Sequence, residues 1–325
     1  MLSRLTRLSR RPEFGALIGV ITVYLFFAIA THGNGFVTVA GTAGWLNTAS
    51  ELGIVAIPVA MLMIAGEFDL SIGSVIGATS ILLAIGHSTY HVPIEIMILA
   101  ALLMGVGVGL FNGIVTTRTR LPSFIVTLVS LLSLSGAALG LSRMLAGTPN
   151  VSLRVDGYIK QVFASHLGNA NISIAWWLAI SAVAWWVLSR TRAGNWVLAT
   201  GGEKNAAREA GVPTDRVKIS LFVATALGAV LVGIIQTLEF NGGEATRGQV
   251  YVFNSIIASV IGGVFLQGGY GSAFGVTLGT MTYGIVSLGI YYTGWNADWA
   301  QLLLGILLLI AVLANNLFQK LALRG

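Results

Sequence analysis

Long apolar runs recur along the whole sequence, and this recurrence restricts the possible fold more than any other feature. Runs such as 14–30, 99–115 and 302–314 approach the roughly 20 residues that a helix needs to cross a bilayer. Hydrophobic residues make up 55% of the chain and charged residues only 9%, which is too few charges to cover a water-soluble domain. The sequence therefore predicts an all-α integral membrane protein, folded as a single transmembrane domain over residues 1–325.

Polar segments divide the apolar runs into ten predicted transmembrane helices. The predicted spans are 14–31, 45–65, 70–87, 93–116, 122–145, 172–189, 217–239, 250–266, 271–292 and 298–316. The turns at 66–71 and 267–272 are short, so either adjoining pair of spans is also open to interpretation as a re-entrant hairpin.

The distribution of basic residues predicts the orientation of this bundle. An even number of spans places both termini on the same side. Of the 18 lysines and arginines, all but Arg143, Arg154, Lys160 and Arg247 lie in segments that share the side of the amino terminus. The positive-inside rule therefore predicts that both termini are cytoplasmic. The basic residues near the two termini are Arg4, Arg7, Arg10, Arg11, Lys320 and Arg324.

The amino-terminal segment resembles the basic region of a signal peptide. Residues 31–44 offer no small-residue cleavage site and lead into another span, so a retained first helix is expected. The net charge of +6 is not gathered on a continuous basic face, and no nucleic-acid partner is predicted.

Two polar segments are longer than simple connections. In the predicted orientation, 146–171 is a periplasmic loop and 190–218 is a cytoplasmic loop. Within the second loop, Gly201 and Gly202 interrupt the chain, residues 203–210 are rich in helix formers, and Gly211 precedes Val212 and Pro213. This pattern predicts a short amphipathic helix that is too short to be stable alone and needs a docking surface.

Polar residues at the start of the second span are candidates for a solute path. Asn47 and Glu51 are four residues apart and share a helix face with Ser50 nearby, a set of groups suited to a hydroxyl-rich solute. The alternative is that Glu51 is an interfacial carboxylate that reaches towards water.

A second candidate lies between the second and third spans, where Asp69 and Ser71 follow Glu67. A carboxylate at membrane depth is costly unless it is paired or hydrated, which favours a solute or gating role. The alternative is that Asp69 is the N-cap of the next helix. Other isolated polar residues near the spans bond either a neighbouring helix or a solute: Asn112, Gln236, Glu239 and Asn254.

No pattern of residues in the sequence predicts an enzyme. There is no Gly-xxxx-Gly-Lys-Ser/Thr phosphate loop, no Gly-x-Ser-x-Gly elbow and no His-Glu-xx-His pair. The chain has no cysteine, and its four histidines are scattered, so neither a metal site nor a directly bound cofactor is expected. Aromatic residues near the predicted span ends, including Trp45, Trp177 and Tyr251, are interpreted mainly as interfacial anchors.

A weak internal repeat relates Ser71–Gly77 to Ala273–Gly279. Each segment begins a helix after a polar turn and carries a Gly-xxx-Gly pair. The repeat suggests that the two halves share packing geometry.

Four segments together resemble the permease subunits of bacterial ABC importers for ribose and related monosaccharides. The segments occur in family order over nearly the whole chain: GEFDLSIGS at 66–74; GLFNG at 109–113 with LPSFIVTL at 121–128; TRAG at 191–194 with GGEKNAAR at 201–208 and Gly211; and IGG at 261–263 with GGYGS at 268–272. The resemblance implies an importer permease of the inner membrane that moves a small polar solute, most simply a monosaccharide.

The resemblance also implies partners and site residues. A separate ATPase subunit would hydrolyse ATP, a periplasmic binding protein would deliver the solute, and a second permease subunit, identical or paralogous, would complete the path. The coupling helix that meets the ATPase would be formed by Gly202, Glu203, Asn205, Ala206, Ala207, Arg208 and Gly211. The expected path residues are Asn47, Glu51, Asp69, Ser71, Asn112 and Asn254.

The sequence departs from the family pattern at two places, which leaves the solute open. Glu67 stands where a second glycine is usual, and Val252–Asn254 replaces a more acidic stretch. Related permeases for autoinducer-like furanoses, nucleosides or branched-chain amino acids are alternatives. An ion-coupled secondary transporter is a further alternative, although it would need a coupling carboxylate near mid-membrane, and a membrane enzyme is a distant third.

Overall fold

The computed structural model describes residues 12–322, giving the backbone alone for Pro12 and for residues 317–322. This part of the chain forms a helical bundle with four short strands. The helices are α1 (Pro12–Ala30), α2 (Val39–Ile64), α3 (Ile72–Ser88), α4 (Ile94–Thr119), α5 (Ser123–Ala146), α6 (Tyr158–Ala164), α7 (Ser173–Arg190), α8 (Arg192–Gly202), α9 (Lys204–Glu209), α10 (Thr214–Glu239), α11 (Gln249–Ile261), α12 (Ala273–Thr293) and α13 (Trp299–Ala322). The strands are β1 (Asn150–Ser152), β2 (His166–Leu167), β3 (Ala170–Asn171) and β4 (Gly242–Glu244).

Eight of these helices are long and apolar enough to cross a membrane: α1, α2, α4, α5, α7, α10, α12 and α13. The shorter apolar helices α3 and α11 have 17 and 13 residues. Together they coincide with the ten predicted spans, and the prediction of a helical multi-pass membrane protein is confirmed. The two short helices, α3 and α11, adjoin the turns at 66–71 and 267–272, where a re-entrant hairpin was the alternative to two full crossings.

The long helices differ in how much of their surface the protein covers. In α2, 78% of the residues in the most apolar stretch are buried, whereas in α13 only 6% are. The central helices α2, α10 and α12 therefore form the core, and α1, α4, α5, α7 and α13 surround them. Exposed leucine, isoleucine and phenylalanine side chains on the surrounding helices are no liability in a bilayer, because lipid tails are equally apolar.

Glycine contacts fix the short helix α11 between α3 and α12. A Cβ at Gly77 of α3 would lie 2.2 Å from the carbonyl oxygen of Ala245, just before α11. A Cβ at Gly279 of α12 would lie 2.0 Å from the carbonyl oxygen of Ala258 in α11. The two segments of the weak internal repeat thus have the same structural role. In each, a glycine allows the backbone of its helix to contact the backbone in or just before α11.

The bundle has two distinct ends. The basic end carries Arg118, Arg190 and Lys204, together with the turn at Gly66 and the start of α10; the positive-inside rule predicts that it faces the cytoplasm. At the opposite end, β1 pairs antiparallel with β4, with Val151 facing Gly243. There β2 also pairs with β3, and α6 packs nearby, so the predicted periplasmic loop is folded and lies over the helix ends.

Helix α1 packs into the bundle. Phe27 is 1% exposed, and a Cβ at Gly289 of α12 would lie 2.7 Å from its ring. The predictions that rest on Arg4, Arg7, Arg10, Arg11 and Arg324 concern positions outside the described residues, as does the side chain of Lys320.

Three local expectations need correction. The loop 190–218 contains two helices, not one, because α8 precedes the predicted short helix α9, and α10 begins at Thr214, three residues earlier than expected. Trp45, Trp177 and Tyr251 are buried in the bundle and are not interfacial anchors. The third helix begins at Ile72 with Ser71 as its N-cap, so Asp69 lies two residues before the cap.

Candidate functional site

A cavity of about 410 Å³ lies between α2, α10, α11 and α12, in the half of the bundle that is farther from the basic end. This volume falls within the usual range for small-molecule pockets. Three of the predicted path residues line it together, namely Asn47, Glu51 and Asn254. The other lining residues are Thr48, Leu52, Asn171, Glu239, Phe240, Val250, Tyr251 and Tyr283.

Glu51 is held by two partners from other helices. Gln236 of α10 donates through Nε2 to Glu51 Oε2 at 2.6 Å and to the Tyr251 hydroxyl at 2.6 Å. The Tyr251 hydroxyl in turn donates to the same carboxylate oxygen at 3.0 Å. Bonds to a carboxylate are stronger than neutral ones, so this cluster fixes Glu51 in the wall of the cavity. The geometry does not fit an interfacial carboxylate that reaches towards water.

Gln236 also contributes an unusual polar atom. Its side chain is 5% exposed, and its Oε1 atom has no hydrogen-bond partner among the described residues. A buried acceptor without a donor is costly, so this oxygen destabilises the cluster.

A second chain of hydrogen bonds ties the loop before α7 to the cavity. Asn47 Nδ2 donates to the carbonyl oxygen of Asn169 at 3.0 Å, and the backbone N–H of Asn171 donates to Asn47 Oδ1 at 2.9 Å. Asn171 Nδ2 donates to Glu239 Oε1 at 2.6 Å. The strand β3 is thus fastened to both α2 and α10, and Glu239 is held at the cavity.

On the facing wall, Asn254 Nδ2 donates to the Tyr283 hydroxyl at 2.8 Å. The cavity therefore combines amides, carboxylates and phenol groups with aromatic faces. Such a surface offers both donors and acceptors to hydroxyl groups, while the rings suit the apolar face of a sugar. No lysine, arginine or histidine is among the residues that line it.

The remaining predicted path residues lie elsewhere, in a buried network. Asp69 Oδ1 accepts hydrogen bonds from the backbone N–H of Ser71 at 2.9 Å and from its hydroxyl at 2.6 Å, and Thr225 donates to Oδ2 at 2.5 Å. Asn112 donates to the Ser71 hydroxyl at 2.9 Å and accepts from Ser130 at 2.5 Å. This network joins the start of α3 to α4, α5 and α10, and a role of Asp69, Ser71 and Asn112 in the path stays a prediction.

The predicted coupling residues surround the short helix α9 at the basic end. Glu203 is its N-cap and accepts from the backbone N–H of Asn205 at 3.3 Å. Ala207 is buried, whereas the other predicted coupling residues are exposed: Gly202, Glu203, Asn205, Ala206, Arg208 and Gly211. Arg208 donates to the hydroxyl of Thr214 at 2.9 Å and pairs with Asp215, which fixes α9 to the first turn of α10.

A junction connects α9 to the core. It consists of residues 64–68, 201–202 and 268–269 with Lys218. A Cβ at Gly201 would lie 1.7 Å from the carbonyl oxygen of Ile64, and the Gly269 N–H donates to that oxygen at 2.8 Å. Lys218 of α10 forms a largely buried ion pair with Glu67.

Lys204 lies near the same ion pair. Partial burial lowers the pKa of the Lys204 ammonium group, and the neighbouring charges of Lys218 and Arg208 lower it further. The basic end therefore concentrates positive charge beside a backbone junction, with Glu67 as the buried counter-charge.

Some of the cavity residues could be identified from the sequence, but their place in the cavity could not. Gln236 and Glu239 were isolated polar residues with two possible meanings, and Tyr251 was interpreted as an interfacial anchor. One feature of the sequence does indicate the cavity: the polar residues Tyr251 and Asn254 lie on a helix that is too short to span a bilayer. Within residues 12–322, no three His, Cys, Asp or Glu side chains converge as a metal site would require.

Comparison with known proteins places this architecture among transport subunits. A family model described as the permease component of branched-chain amino acid transport systems matches residues 41–312. The chain is 29% identical to the fructose import permease of Rhizobium meliloti over 318 residues, which cover 96% of this chain and 87% of that protein.

Two further relatives have similar coverage. The ribose import permease of Escherichia coli K12 is 26% identical over 301 residues, covering 91% of this chain and 92% of the relative. The xylose transport permease of Haemophilus influenzae is 26% identical over 360 residues, covering 94% and 96%. The similarity therefore extends over almost the whole length of each protein.

Proposed function

Because this chain belongs to the family of branched-chain amino acid transport system permease components, we propose that it is the membrane-spanning subunit of an ATP-binding-cassette importer for a monosaccharide. It is a multi-pass protein of the bacterial inner membrane. The observation that carries the choice of solute is the cavity, where amide, carboxylate and phenol groups surround a space of about 410 Å³. Relatives named for fructose, ribose and xylose support the same choice.

The energy source in this proposal is a separate ATPase subunit. The sequence contains no phosphate loop, so the proposal assigns ATP hydrolysis to that partner and no cofactor to this chain. The ATPase would dock on α9 and the end of α8, where Asn205 and Ala206 of α9 and Gly202 of α8 are exposed. A periplasmic binding protein would deliver the sugar to the opposite end, and a second permease subunit, identical or paralogous, would complete the path.

The mechanism follows from the connection between α9 and the core. Closure of the ATPase dimer would push α9, which is fixed to α10 through Arg208. Gly201, at the end of the preceding helix α8, would pass the displacement to the end of α2. Rearrangement of this junction would open the basic end, while the cavity closes at the opposite end. The cavity would hold the sugar only weakly, so that the sugar is released inward in each cycle.

An amino acid is a less suitable solute for this cavity. A zwitterionic amino acid carries a carboxylate, which proteins bind with arginine, lysine or clustered backbone N–H groups. The lining residues include two glutamates and no cationic side chain. Autoinducer-like furanoses and nucleosides are neutral polyhydroxyl compounds and remain the closest alternatives to a monosaccharide.

Transport into proteoliposomes tests the proposal. The chain is co-reconstituted with an ATP-binding-cassette subunit and a binding protein from the same genome, and uptake of labelled fructose, ribose and xylose is measured. The proposal predicts uptake only with ATP at the ATPase side, unaffected by an uncoupler. Uptake that an uncoupler abolishes while ATP stays intact would establish an ion-coupled transporter instead.

A further inference from the structure

The residues that line the cavity include acidic but no basic side chains, and this charge bears on which solutes the cavity rejects. Glu51 and Glu239 both line the cavity, and their carboxyl groups lie close enough to share a hydrogen bond. None of the lining side chains is cationic. Two adjacent carboxyl groups that share a proton still carry one negative charge, and no lining side chain opposes it, so the cavity has a negative potential.

The arginine that attracts Glu51, Arg247, is engaged in other contacts. Arg247 donates to the backbone carbonyl oxygen of Gly242 at 2.7 Å and to that of Gln236 at 3.2 Å, and it approaches Glu244 at 3.7 Å. Its guanidinium group is therefore used to hold the segment that contains β4 against the end of α10. It attracts Glu51 and lies over the ring of the lining residue Phe240, but it is not itself among the residues that line the cavity.

The positions of both glutamates are fixed by neighbouring side chains. Glu51 is held by Gln236 and Tyr251, and Glu239 is held by Asn171. Each of these partners donates a hydrogen bond and is neutral, so the partners orient the carboxylates without cancelling their charge. A carboxylate with neutral partners keeps its long-range repulsion of other anions.

We infer that Glu51 and Glu239 select the charge of the solute, so that neutral and cationic sugars enter the cavity whereas sugar acids and sugar phosphates are excluded. This inference rests on the proposed function for its biological meaning. The specificity arises from repulsion of the wrong solute, because the neutral donors and acceptors of the wall serve hydroxyl groups of charged and neutral sugars alike.

Charged thiol reagents measure this potential directly, because the chain contains no native cysteine. Val250→Cys places one thiol in the cavity lining, where Val250 is 63% exposed. Val39→Cys, at an 82% exposed position where α2 begins, is the reference. Each full-length variant in nanodiscs is labelled with a cationic and an anionic methanethiosulfonate reagent, and the ratio of the two rates is compared between the positions.

The cation-to-anion rate ratio at Val250→Cys is expected to exceed that at Val39→Cys by about fivefold at low ionic strength and to fall in high salt. Adding Glu51→Gln and Glu239→Gln is expected to remove the difference. Glu239→Gln alone is the more conservative variant if the double substitution impairs folding, and it is expected to remove part of the difference. Equal ratios at the two positions, or a ratio unaffected by the glutamine substitutions, would overturn the inference.

The labelling result does not depend on transport. If proteoliposomes import no sugar but the labelling ratio behaves as expected, the proposed function fails and the charge selection stands. If sugars are imported but the corresponding uronic acids enter equally well, the charge selection fails and the importer proposal stands.

Discussion

At the opposite end the bundle encloses a cavity of about 410 Å³ between polar side chains, whereas at the basic end backbone segments approach so closely that no side chain fits between them. The cavity is built from long side chains joined by hydrogen bonds across four helices. The junction is built from glycines and one buried ion pair. The first arrangement holds a solute, and the second transmits displacement, because rigid contacts between backbones move together.

The two regions should therefore respond differently to substitution. Additional volume is tolerated poorly at the junction, since there is no space for a Cβ at Gly201. Changes of polarity matter more in the cavity, where the side chains have room but depend on one another for hydrogen bonds. Four substitutions test this contrast, and their expected losses of stability decrease in the order Gly201→Val, Lys218→Met, Tyr251→Phe and Arg208→Ala.

The largest effect is expected for Gly201→Val. Its Cβ would lie 1.7 Å from the Ile64 carbonyl oxygen and 2.7 Å from the Gly269 nitrogen, and both contacts involve backbone that cannot rotate away. We expect a loss of more than about 4 kcal/mol, in the range reserved for severe disruptions. Thermal unfolding in detergent measures it. Gly107→Ala in α4, with no atom within 4 Å of its Cβ, is the control and should unfold as the wild type does; equal behaviour of the two variants would refute a rigid junction.

Lys218→Met should have the next largest effect. It leaves Glu67 as a buried charge without its partner, at a cost of about 3 kcal/mol. The double variant Glu67→Leu with Lys218→Met removes both charges and should recover most of the stability. Denaturation of the single and double variants gives the coupling between the two residues. A double variant less stable than Lys218→Met would contradict the assigned ion pair.

Tyr251→Phe tests how a hydrogen bond in the cavity affects stability and sugar uptake. The hydroxyl connects Gln236 with Glu51, so its removal should destabilise the protein by about 1.5 kcal/mol and weaken uptake by freeing the Glu51 carboxylate. Tyr291→Phe, at a residue 64% exposed, is the matched control and should change neither property. Sugar uptake at several concentrations and thermal unfolding are the measurements; normal uptake by Tyr251→Phe would separate the cluster from the solute path.

Arg208→Ala should cost the least stability, about 0.5 kcal/mol, because its ion pair with Asp215 is partly exposed. Its effect on coupling should be larger, since Arg208 fixes α9 to α10. Sugar-stimulated ATP hydrolysis by the reconstituted complex is expected to fall while the membrane domain stays folded. Arg216→Ala, at an exposed position in the same helix as Asp215, controls for loss of a positive charge. Unchanged stimulation in Arg208→Ala would remove Arg208 from the coupling path.

The membrane spans could be predicted because a long apolar run is a local property of the sequence. It did not predict α8, since Gly194, Gly201 and Gly202 are typical of interrupted segments. In the structure Gly194 packs against Leu188 of α7 and Gly201 against Ile64 of α2, so contacts with other helices favour a helix in spite of its glycines. Local propensity carries no information about such contacts.

The cavity was predictable only in part, for the same reason. The spacing of Asn47 and Glu51 follows from helix geometry, so their shared face could be predicted. The partners of Glu51 are 185 and 200 residues away in sequence, and no local pattern links them. Burial of Tyr251 follows from its position in a short helix that packs between α3 and α12.

The central claim is that a separate ATPase moves this bundle through α9. The most direct measurement is site-specific cross-linking from Ala206→Cys, an exposed position of α9 in a chain without native cysteine, to the co-expressed ATP-binding-cassette subunit in membranes. We expect a cross-link there that changes in yield when ATP is bound, and none from Val39→Cys at the other end. If Ala206→Cys forms no cross-link with an ATPase that co-purifies with the chain, α9 is not the site where that subunit acts.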